Sequence, residues 1–357
     1  MGRISLRSLG ALLAAATLVV AQTYTSCDPT KKICPPDPAL SRPSYAVDFR
    51  TAGPAGDPAN WASIGGGAVT YSPLSGAAFT INKKGDSPTL ATAWYFFFGR
   101  AEVHLRTAPG QGIVSCVVLE SDDLDEIDWE WIGGVPGQVQ TNYFGKGNTT
   151  SWDRGTNVTL AASSQTKSMN YTIDWSPAGV SWFIDGRPVR YLRYGDALGG
   201  RNYPQTPVRL KIGIWAGGDS DNPNGTIAWA GGVTDYGKGP FTMFVEKVVV
   251  ENRNPGGRYR YGDLSGSWES IVVEEDDEDT ARNSSVGVRG PGSHYSATAS
   301  EDDSRGSGSG VEVVEGATSG MEAADAALSI GAGGRSLPGW NLGMVLGSVA
   351  AFVLVTL

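Results

Sequence analysis

Hydrophobic residues occur along this chain in short runs that are bounded by turn-forming residues. The region between residues 27 and 261 is rich in Val, Thr, Trp and Tyr, which β-strands favour. Asp185-Gly186 directly follows one apolar run and is a signal for a tight hairpin turn. No stretch of useful length has the apolar period of an amphipathic helix. The pattern alone therefore predicts an all-β fold. Clear apolar runs occupy residues 93–98, 180–184 and 242–250.

One predicted strand has an unusual polar face. Glu126, Asp128 and Glu130 occur at every second position, with Ile127 and Trp129 between them. Side chains of a β-strand point alternately to opposite faces, so the carboxylates would share one face and the apolar residues the other. Like charges crowded on one face repel each other, and a merely solvated face gains nothing from them. We predict that the apolar face packs in the core and the acidic face performs chemistry.

Glycoside hydrolysis requires carboxyl groups held in this way. A retaining glycosidase uses one ionised carboxylate as nucleophile and one protonated carboxyl as acid. The alternative is a solvated acidic edge strand, which Asp122, Asp123 and Asp125 just upstream would suit. Trp129 and Trp131 argue against it, because large apolar side chains are not expected in a solvated loop. The catalytic interpretation is favoured.

At these residues the chain resembles glycoside hydrolase family sixteen, whose signature is Glu-x-Asp-x-Glu on a strand of a β-jelly roll. The wider run, residues 121–131, is similar to the Crh branch, the fungal cell-wall transglycosylases that join chitin to β-glucan. The resemblance covers residues 27–260 approximately, and further motifs occur in family order. These motifs are residues 141–147, 173–175, 213–218 and 225–232.

The resemblance implies a β-jelly-roll sandwich of two antiparallel sheets with a concave substrate cleft. It also implies that Glu126 is the nucleophile, that Glu130 is the acid/base, and that Asp128 assists between them. The implied activity is cleavage of a chitin-type β-1,4-linked donor with retention, followed by transfer to a β-glucan or chitin acceptor. One alternative is a retaining hydrolase of endo-β-glucanase or chitinase type. The other is a non-catalytic carbohydrate-binding wall protein, which would be expected to lack one of the three carboxylates.

Aromatic residues are candidates for sugar binding, because sugar rings stack on aromatic faces. Trp215 and Trp229 stand beside glycine pairs, and glycine-rich loops at strand ends are frequent positions for binding sites. For Trp175 stacking and core packing are equally compatible with the sequence. Tyr143 is a further candidate, and Lys146 either donates to a sugar hydroxyl or lies in a turn.

Several other kinds of function are excluded by composition. Only two histidines occur, His104 and His294, so neither a Ser-His-Asp triad nor a histidine-rich metal site is expected. No glycine loop of the phosphate-binding type is present, and the folded region lacks a basic patch for nucleic acid. We expect no metal ion and no cofactor, and we expect the protein to act as a monomer on chitin and β-glucan.

The chain ends have the features of a secreted, anchored protein. Residues 1–21 contain two arginines, an apolar core and small residues before a cleavage point, as a secretory signal peptide does. Residues 342–357 are apolar and uncharged, and this run is short for a membrane-spanning helix. Small residues precede it, which is the pattern of a GPI signal with attachment at Gly331 or Ala332. An ordinary C-terminal membrane anchor is the alternative. We predict a location in the cell wall and on the outer face of the plasma membrane.

Charge is unevenly distributed and indicates where the folded domain ends. Residues 263–335 hold 15 Asp and Glu against 4 Arg, whereas residues 1–262 hold 22 acidic against 24 basic residues. The acidic segment has only two aromatic residues and repeated Ser and Gly, so it cannot bury enough apolar surface to fold. We therefore predict the following division: signal peptide 1–21, catalytic domain 22–262, disordered Ser/Gly-rich stalk 263–331 and GPI propeptide 332–357.

Cysteines and glycosylation signals agree with an extracellular protein. Cys27 and Cys34 lie close together and are expected to form a disulfide, whereas Cys116 is expected to be a buried apolar residue. Five Asn-x-Ser/Thr sequons mark candidate N-glycosylation sites. They are at Asn148, Asn157, Asn170, Asn224 and Asn283.

Overall fold

The computed structural model describes residues 25–53, 55–150 and 154–275. The predicted signal peptide, the sequon at Asn283 and the predicted anchor at Gly331 or Ala332 lie outside these residues. The described part is built almost entirely from antiparallel strands. The strands are β1 Asp37–Pro38, β2 Ser44–Asp48, β3 Trp61–Ser63, β4 Val69–Ser72, β5 Gly76–Ile81, β6 Thr89–Thr92, β7 Gly99–Arg106, β8 Ile113–Ser121, β9 Glu126–Ile132, β10 Gln138–Phe144, β11 Thr156–Thr159, β12 Met169–Ser176, β13 Gly179–Ile184, β14 Arg187–Arg193, β15 Val208–Ala216, β16 Phe241–Asn252, β17 Arg258–Tyr261 and β18 Ile271–Glu274.

Helical structure is limited in the described residues. One short α-helix, α1, spans Asn224–Trp229, and three 3-10 turns span Tyr194–Asp196, Tyr236–Lys238 and Trp268–Ser270. No helix within the described ranges is long and apolar enough to cross a bilayer.

Two large sheets form the sandwich. The seven-stranded sheet has the order β11-β10-β9-β8-β15-β6-β3. The second sheet has the order β14-β13-β12-β7-β16-β5-β4, and β2 pairs with β16 beside it. A small third sheet has the order β1-β17-β18. The predicted jelly-roll sandwich of antiparallel sheets is confirmed.

The core lies between the two large sheets and follows the alternation of the strands. In β7 every second residue is buried, which places Val103 and Leu105 in the core and the intervening polar residues outside. Trp129 and Trp131 of β9 enter the same core, where their rings contact Tyr171 of β12 at centroid distances of 5.4 and 4.6 Å. These aromatic contacts join the two sheets directly beneath the acidic face of β9.

The disulfide predicted near the start of the domain is confirmed. Cys27 and Cys34 are bonded, and their Cα atoms are 5.9 Å apart. Cys116 is buried and forms no disulfide among the described residues, in agreement with the prediction.

The folded region extends beyond residue 262, where the sequence pattern predicts its end. β18 pairs along its whole length with β17, from Arg258↔Glu274 to Tyr261↔Ile271. Trp268, just before β18, packs against the core, with its ring 6.3 Å from that of Phe98. One apolar tripeptide and one tryptophan are enough to add a strand, although the segment as a whole is acidic. Of the predicted stalk, only residues 276–331 lie outside the described part.

We therefore expect the position of a truncation to matter. A protein ending at residue 275 should unfold at the same denaturant concentration as the longer protein. A protein ending at residue 262 should lose about 1–3 kcal/mol, because it loses the burial of Trp268 and the strand that covers β17. Urea unfolding of the two truncated proteins checks this, and equal midpoints would show that β18 contributes nothing to the domain.

Candidate active site

The acidic face of β9 points away from the core. Ile127, Trp129 and Trp131 are buried, whereas Glu126 and Glu130 are partly exposed on the opposite side of the strand. Asp128 lies between these two on the same side and is almost completely buried. The alternation that the sequence predicts is thus present. We call this side of the seven-stranded sheet the carboxylate face.

Each carboxylate has defined neighbours on the adjacent strands. Residues directly opposite each other in an antiparallel pair point to the same face. On β8, the partners of Glu126, Asp128 and Glu130 are Glu120, Val118 and Cys116, respectively. On β10, their partners are Phe144, Asn142 and Gln140.

The three carboxyl groups differ in their electrostatic environment. Burial, followed by the negative charge of Glu126, raises the pKa of Glu130 to about 8. Burial also raises the pKa of Asp128 well above its usual range, as do the charges of Glu126 and Glu130 and a hydrogen bond to Glu126. The pKa of Glu126 is raised by burial, but the hydrogen bond from Asp128 and the charges of Lys211 and Arg154 oppose this rise. Glu126 is therefore the member of the row that is best placed to be ionised at neutral pH.

A buried ion pair on the carboxylate face was not predicted. Lys211 Nζ lies 2.5 Å from Glu120 Oε2, and the side chains of these residues are 8% and 2% exposed. Glu120 faces Glu126 across β8 and β9, and Lys211 faces Val118 across β15 and β8. The pair therefore lies beside Glu126 and Asp128. The sequence signal was the presence of Glu120 and Lys211 in two otherwise largely apolar strands, but no local pattern shows that these strands are neighbours.

The aspartates upstream of β9 are anchors rather than a solvated loop. Asp125 is fully buried and accepts hydrogen bonds from the backbone N–H groups of Lys146, Gln205 and Thr206, at 2.9, 2.7 and 3.2 Å. Asp123 is also buried and accepts from the Thr206 hydroxyl at 2.7 Å. These bonds fix the turn that precedes β9.

Lys146 belongs to this anchor and is not placed to donate to a sugar. Its Nζ lies 3.9 Å from Asp125 Oδ1, and its backbone has a positive φ of 52°, which is typical of a turn. Of the two roles that the sequence left open for Lys146, the structure supports the turn.

Two of the predicted sugar-binding aromatics point into the core. Trp175 is 0% exposed and its indole N–H donates to the carbonyl of Pro204 at 2.9 Å. Tyr143 is 6% exposed and faces the same side as its strand partner Ile127, which is opposite to the carboxylates. Neither ring can stack on a sugar, so the predicted binding role of Tyr143 is wrong, and of the two roles left open for Trp175 the structure supports core packing. The direction of Tyr143 depends on the register of β10, which the sequence does not give.

The other two aromatics lie together at one end of the carboxylate face. Trp215 of β15 and Trp229 of α1 are stacked, with centroids 6.0 Å apart and planes 26° apart, and both are partly exposed. Trp229 also lines a cavity of about 190 Å³ together with Glu130 and Gln140. An aromatic surface and the carboxyl group with the pKa of about 8 thus share one cavity.

A second cavity lies at the other end of the row. It has a volume of about 110 Å³ and is lined by Glu120 and Lys211, with Arg209 and Tyr95 nearby. Thr25 and Ser26, which precede the disulfide loop, also line it. The carboxylate row therefore has an open, polar cavity beside Glu120 and an open, largely apolar cavity beside Glu130.

Cys116 faces the carboxylates although it is buried. Its Sγ donates to the carbonyl of Gly213 at 3.4 Å. Burial and the charges of Glu130, Asp128 and Glu126 raise the pKa of the thiol well above its usual value. The group is therefore neutral, and it adds no charge beneath Glu130.

Comparisons with known proteins agree with this geometry. The family model described as glycosyl hydrolases family 16 matches residues 58–231. The chain is 53% identical over 264 residues to Crh-like protein 5 of Aspergillus fumigatus, an alignment that covers 74% of this chain and 65% of that protein. It is 50% identical over 278 residues to Crh-like protein 1 of the same organism, covering 78% and 74% of the two chains. The chain thus spans less than two thirds of the length of Crh-like protein 5.

Solved structures include one of high similarity. This protein is similar to a structure described as Crh5 transglycosylase in complex with NAG, with a TM-score of 0.66 and 54% identity. The match covers 70% of this chain and 100% of that chain.

Proposed function

We propose that this chain, which belongs to the Crh-like proteins of glycosyl hydrolases family 16, is a retaining transglycosylase of the fungal cell wall. The observation that carries the proposal is the row of Glu126, Asp128 and Glu130 on one outward face, with the pKa of Glu130 at about 8. At neutral pH this row offers a protonated carboxyl and an ionised one. A retaining glycosidase needs both.

The chemistry follows from these two protonation states. Glu126 attacks the anomeric carbon of the donor while the bond to the leaving sugar breaks, and Glu130 gives its proton to the leaving oxygen. Asp128 is neutral, so it can donate its proton in a hydrogen bond to Glu126 and orient that carboxylate. In the second step Glu130, now ionised, takes the proton of an incoming hydroxyl group. The oxygen of that hydroxyl group attacks the anomeric carbon, and the bond to Glu126 breaks. Two displacements give net retention.

Trapping the covalent intermediate tests the reaction type. In Glu130→Gln, a chitooligosaccharide with a good leaving group needs no proton to depart, so glycosylation of Glu126 should proceed and its resolution should be slow. Mass spectrometry of the peptide containing Glu126 should then show the added sugar. If the sugar were attached to another residue, or if no adduct formed while turnover was measurable, Glu126 would not be the nucleophile.

We further propose that the donor is chitin-type and that the acceptor is β-glucan or chitin. The description of the similar structure as a transglycosylase in complex with NAG supports this assignment. Transfer rather than hydrolysis requires that a sugar hydroxyl reach the glycosyl-enzyme ahead of water. Trp229, which lines the cavity beside Glu130, is the proposed stacking surface for that sugar, and Trp215 supports it by ring contact.

Replacing Trp229 with alanine is therefore expected to reduce transfer more than hydrolysis. Loss of one stacking face should weaken acceptor binding by about 1–2 kcal/mol, or roughly tenfold, while Glu126 still attacks the donor. The measurement is the ratio of hydrolysed to transferred product at fixed acceptor concentration. Trp229→Phe, which keeps an aromatic face, is the matched control. An equal fall in both products would place Trp229 on the donor side.

The proposed location is the outer face of the plasma membrane and the cell wall, through a GPI anchor at Gly331 or Ala332, with the protein acting as a monomer. The apolar C-terminal run after small residues supports the anchor. Phosphatidylinositol-specific phospholipase is then expected to release the protein from intact cells. Retention after treatment, with a peptide containing Phe352 in the mature protein, would instead indicate a spanning segment.

A further inference from the structure

One of the sequon asparagines lies on the carboxylate face. Gln140 is directly opposite Glu130 on one side and directly opposite Asn157 on the other. Glu130, Gln140 and Asn157 therefore form one row across β9, β10 and β11, and all three side chains point to the same face. Two strand spacings separate Glu130 from Asn157, which is about 10 Å. Asn157 also lines the cavity that contains Glu130 and Trp229.

The side chain of Asn157 is compatible with a glycan. It is exposed, and its hydrogen bond uses the amide oxygen, which accepts from Gln140 Nε2 at 3.3 Å. N-glycosylation substitutes the amide nitrogen and leaves that oxygen able to accept. By contrast, Asn148 and Asn170 use their amide nitrogens as donors, to Asn202 at 2.8 Å and to Glu102 at 2.9 Å.

The position of β11 adds a second argument. β11 is the edge strand of the seven-stranded sheet, so a glycan on it would shield an exposed edge and would stand at the rim of the cavity. An N-linked glycan is bulky and hydrated. The cavity beside Glu130 has a volume of only about 190 Å³, so a glycan at its rim must narrow the approach to it.

We propose that Asn157 carries an N-linked glycan and that this glycan limits the size of acceptors reaching Glu130. The second half of this inference rests on the proposed function, because it takes the cavity beside Glu130 as the acceptor end. The first half concerns only the modification, and it can be measured independently of any activity.

The test separates the sugar from the side chain that bears it. Thr159→Ala removes the sequon but keeps Asn157, Thr159→Ser keeps the sequon, and Asn157→Gln removes both; Thr159 is exposed on β11. Peptide mapping of the secreted full-length protein should show a glycan at Asn157 in the parent and in Thr159→Ser only. An unoccupied Asn157 in the parent would overturn the proposal.

The functional effect is measured with a short and a long glucan oligosaccharide. Loss of the glycan in Thr159→Ala and Asn157→Gln should raise kcat/KM for the long acceptor by roughly five- to tenfold and leave the short one nearly unchanged. Asn170→Gln, which removes a sequon from the second sheet, should change neither. If Asn157 of the parent protein carries a glycan but Thr159→Ala and Thr159→Ser have equal kcat/KM for the long acceptor, the glycan does not limit acceptor size.

A binding measurement tests the effect of the glycan independently of whether the protein catalyses the proposed reaction. In a Glu126→Gln background, affinity for the long oligosaccharide should rise on loss of the glycan even though no turnover occurs. If the parent protein transferred no sugar to an acceptor, the proposed function would be wrong. The change in affinity would still decide whether the glycan restricts the cavity.

Discussion

Glu126→Gln and Glu130→Gln are each expected to abolish measurable turnover of a natural donor while the fold is retained. Each change keeps the shape of the side chain but removes a carboxyl group that, in the proposed mechanism, attacks the donor or transfers a proton. Loss of the acid/base in Glu130→Gln should lower kcat by about 10²–10⁴-fold. Loss of the nucleophile should be at least as severe, because no covalent intermediate can form. Asp128→Asn should be slow but active, since an amide can still donate to Glu126.

Stability measurements distinguish a lost reaction from a lost fold. Burial raises the pKa of Glu130 to about 8, above that of a glutamate in the unfolded chain, so the unfolded chain loses this proton first. The resulting loss of stability accumulates as the pH rises towards 8 and is complete above it. Glutamine cannot ionise, and Glu130→Gln should therefore be at least as stable as the parent at alkaline pH. Glu251→Gln, a surface change on β16, should alter neither the activity nor the stability. Full activity in Glu126→Gln would remove the proposed mechanism altogether.

The second large effect is expected at Lys211. Lys211→Met removes the cation of the buried ion pair with Glu120, and breaking one partner of such a pair typically destabilises by about 3–5 kcal/mol. The same change removes a positive charge that lowers the pKa of Glu126. In the proposed mechanism activity requires ionised Glu126, so it is lost as the pH falls through the pKa of this residue. The acid limb of the kcat/KM profile should therefore move to higher pH, while the alkaline limb stays near the pKa of Glu130, about 8.

A double variant separates the two consequences for Lys211. Lys211→Met with Glu120→Gln leaves no buried charge on either strand, so stability should return in large part. The positive charge near Glu126 is still absent, and the shifted acid limb should remain. A double variant with the parent pH profile would show that Lys211 stabilises the sheet without influencing Glu126.

The features best predicted from the sequence are those that depend only on residues within a single strand or a short loop. The two-residue period of residues 126–131 gave the strand, its buried face and its acidic face correctly, because all three depend only on local alternation. The disulfide between Cys27 and Cys34 was likewise a short-range prediction. The jelly roll itself came from the family resemblance and not from the pattern.

Contacts between strands could not be predicted from the sequence. Tyr143 is a wrong candidate for sugar binding, because the direction of its side chain depends on its pairing with Ile127. The pair of Glu120 and Lys211 joins residues that are 91 positions apart, and no local pattern indicates this contact. β18 was missed because composition averaged over a long acidic segment concealed one apolar tripeptide.

In the proposed function the row of carboxylates transfers sugar between polymers with retention. The most direct measurement is incubation of the protein, ending at residue 275, with a chitooligosaccharide donor and a fluorescently labelled β-glucan oligosaccharide. We expect labelled products that carry added N-acetylglucosamine units through a β-linkage, and we expect none with Glu126→Gln. Shortened chitooligosaccharides without any labelled hybrid, from glucan and chitin acceptors alike, would contradict transfer and identify the protein as a hydrolase.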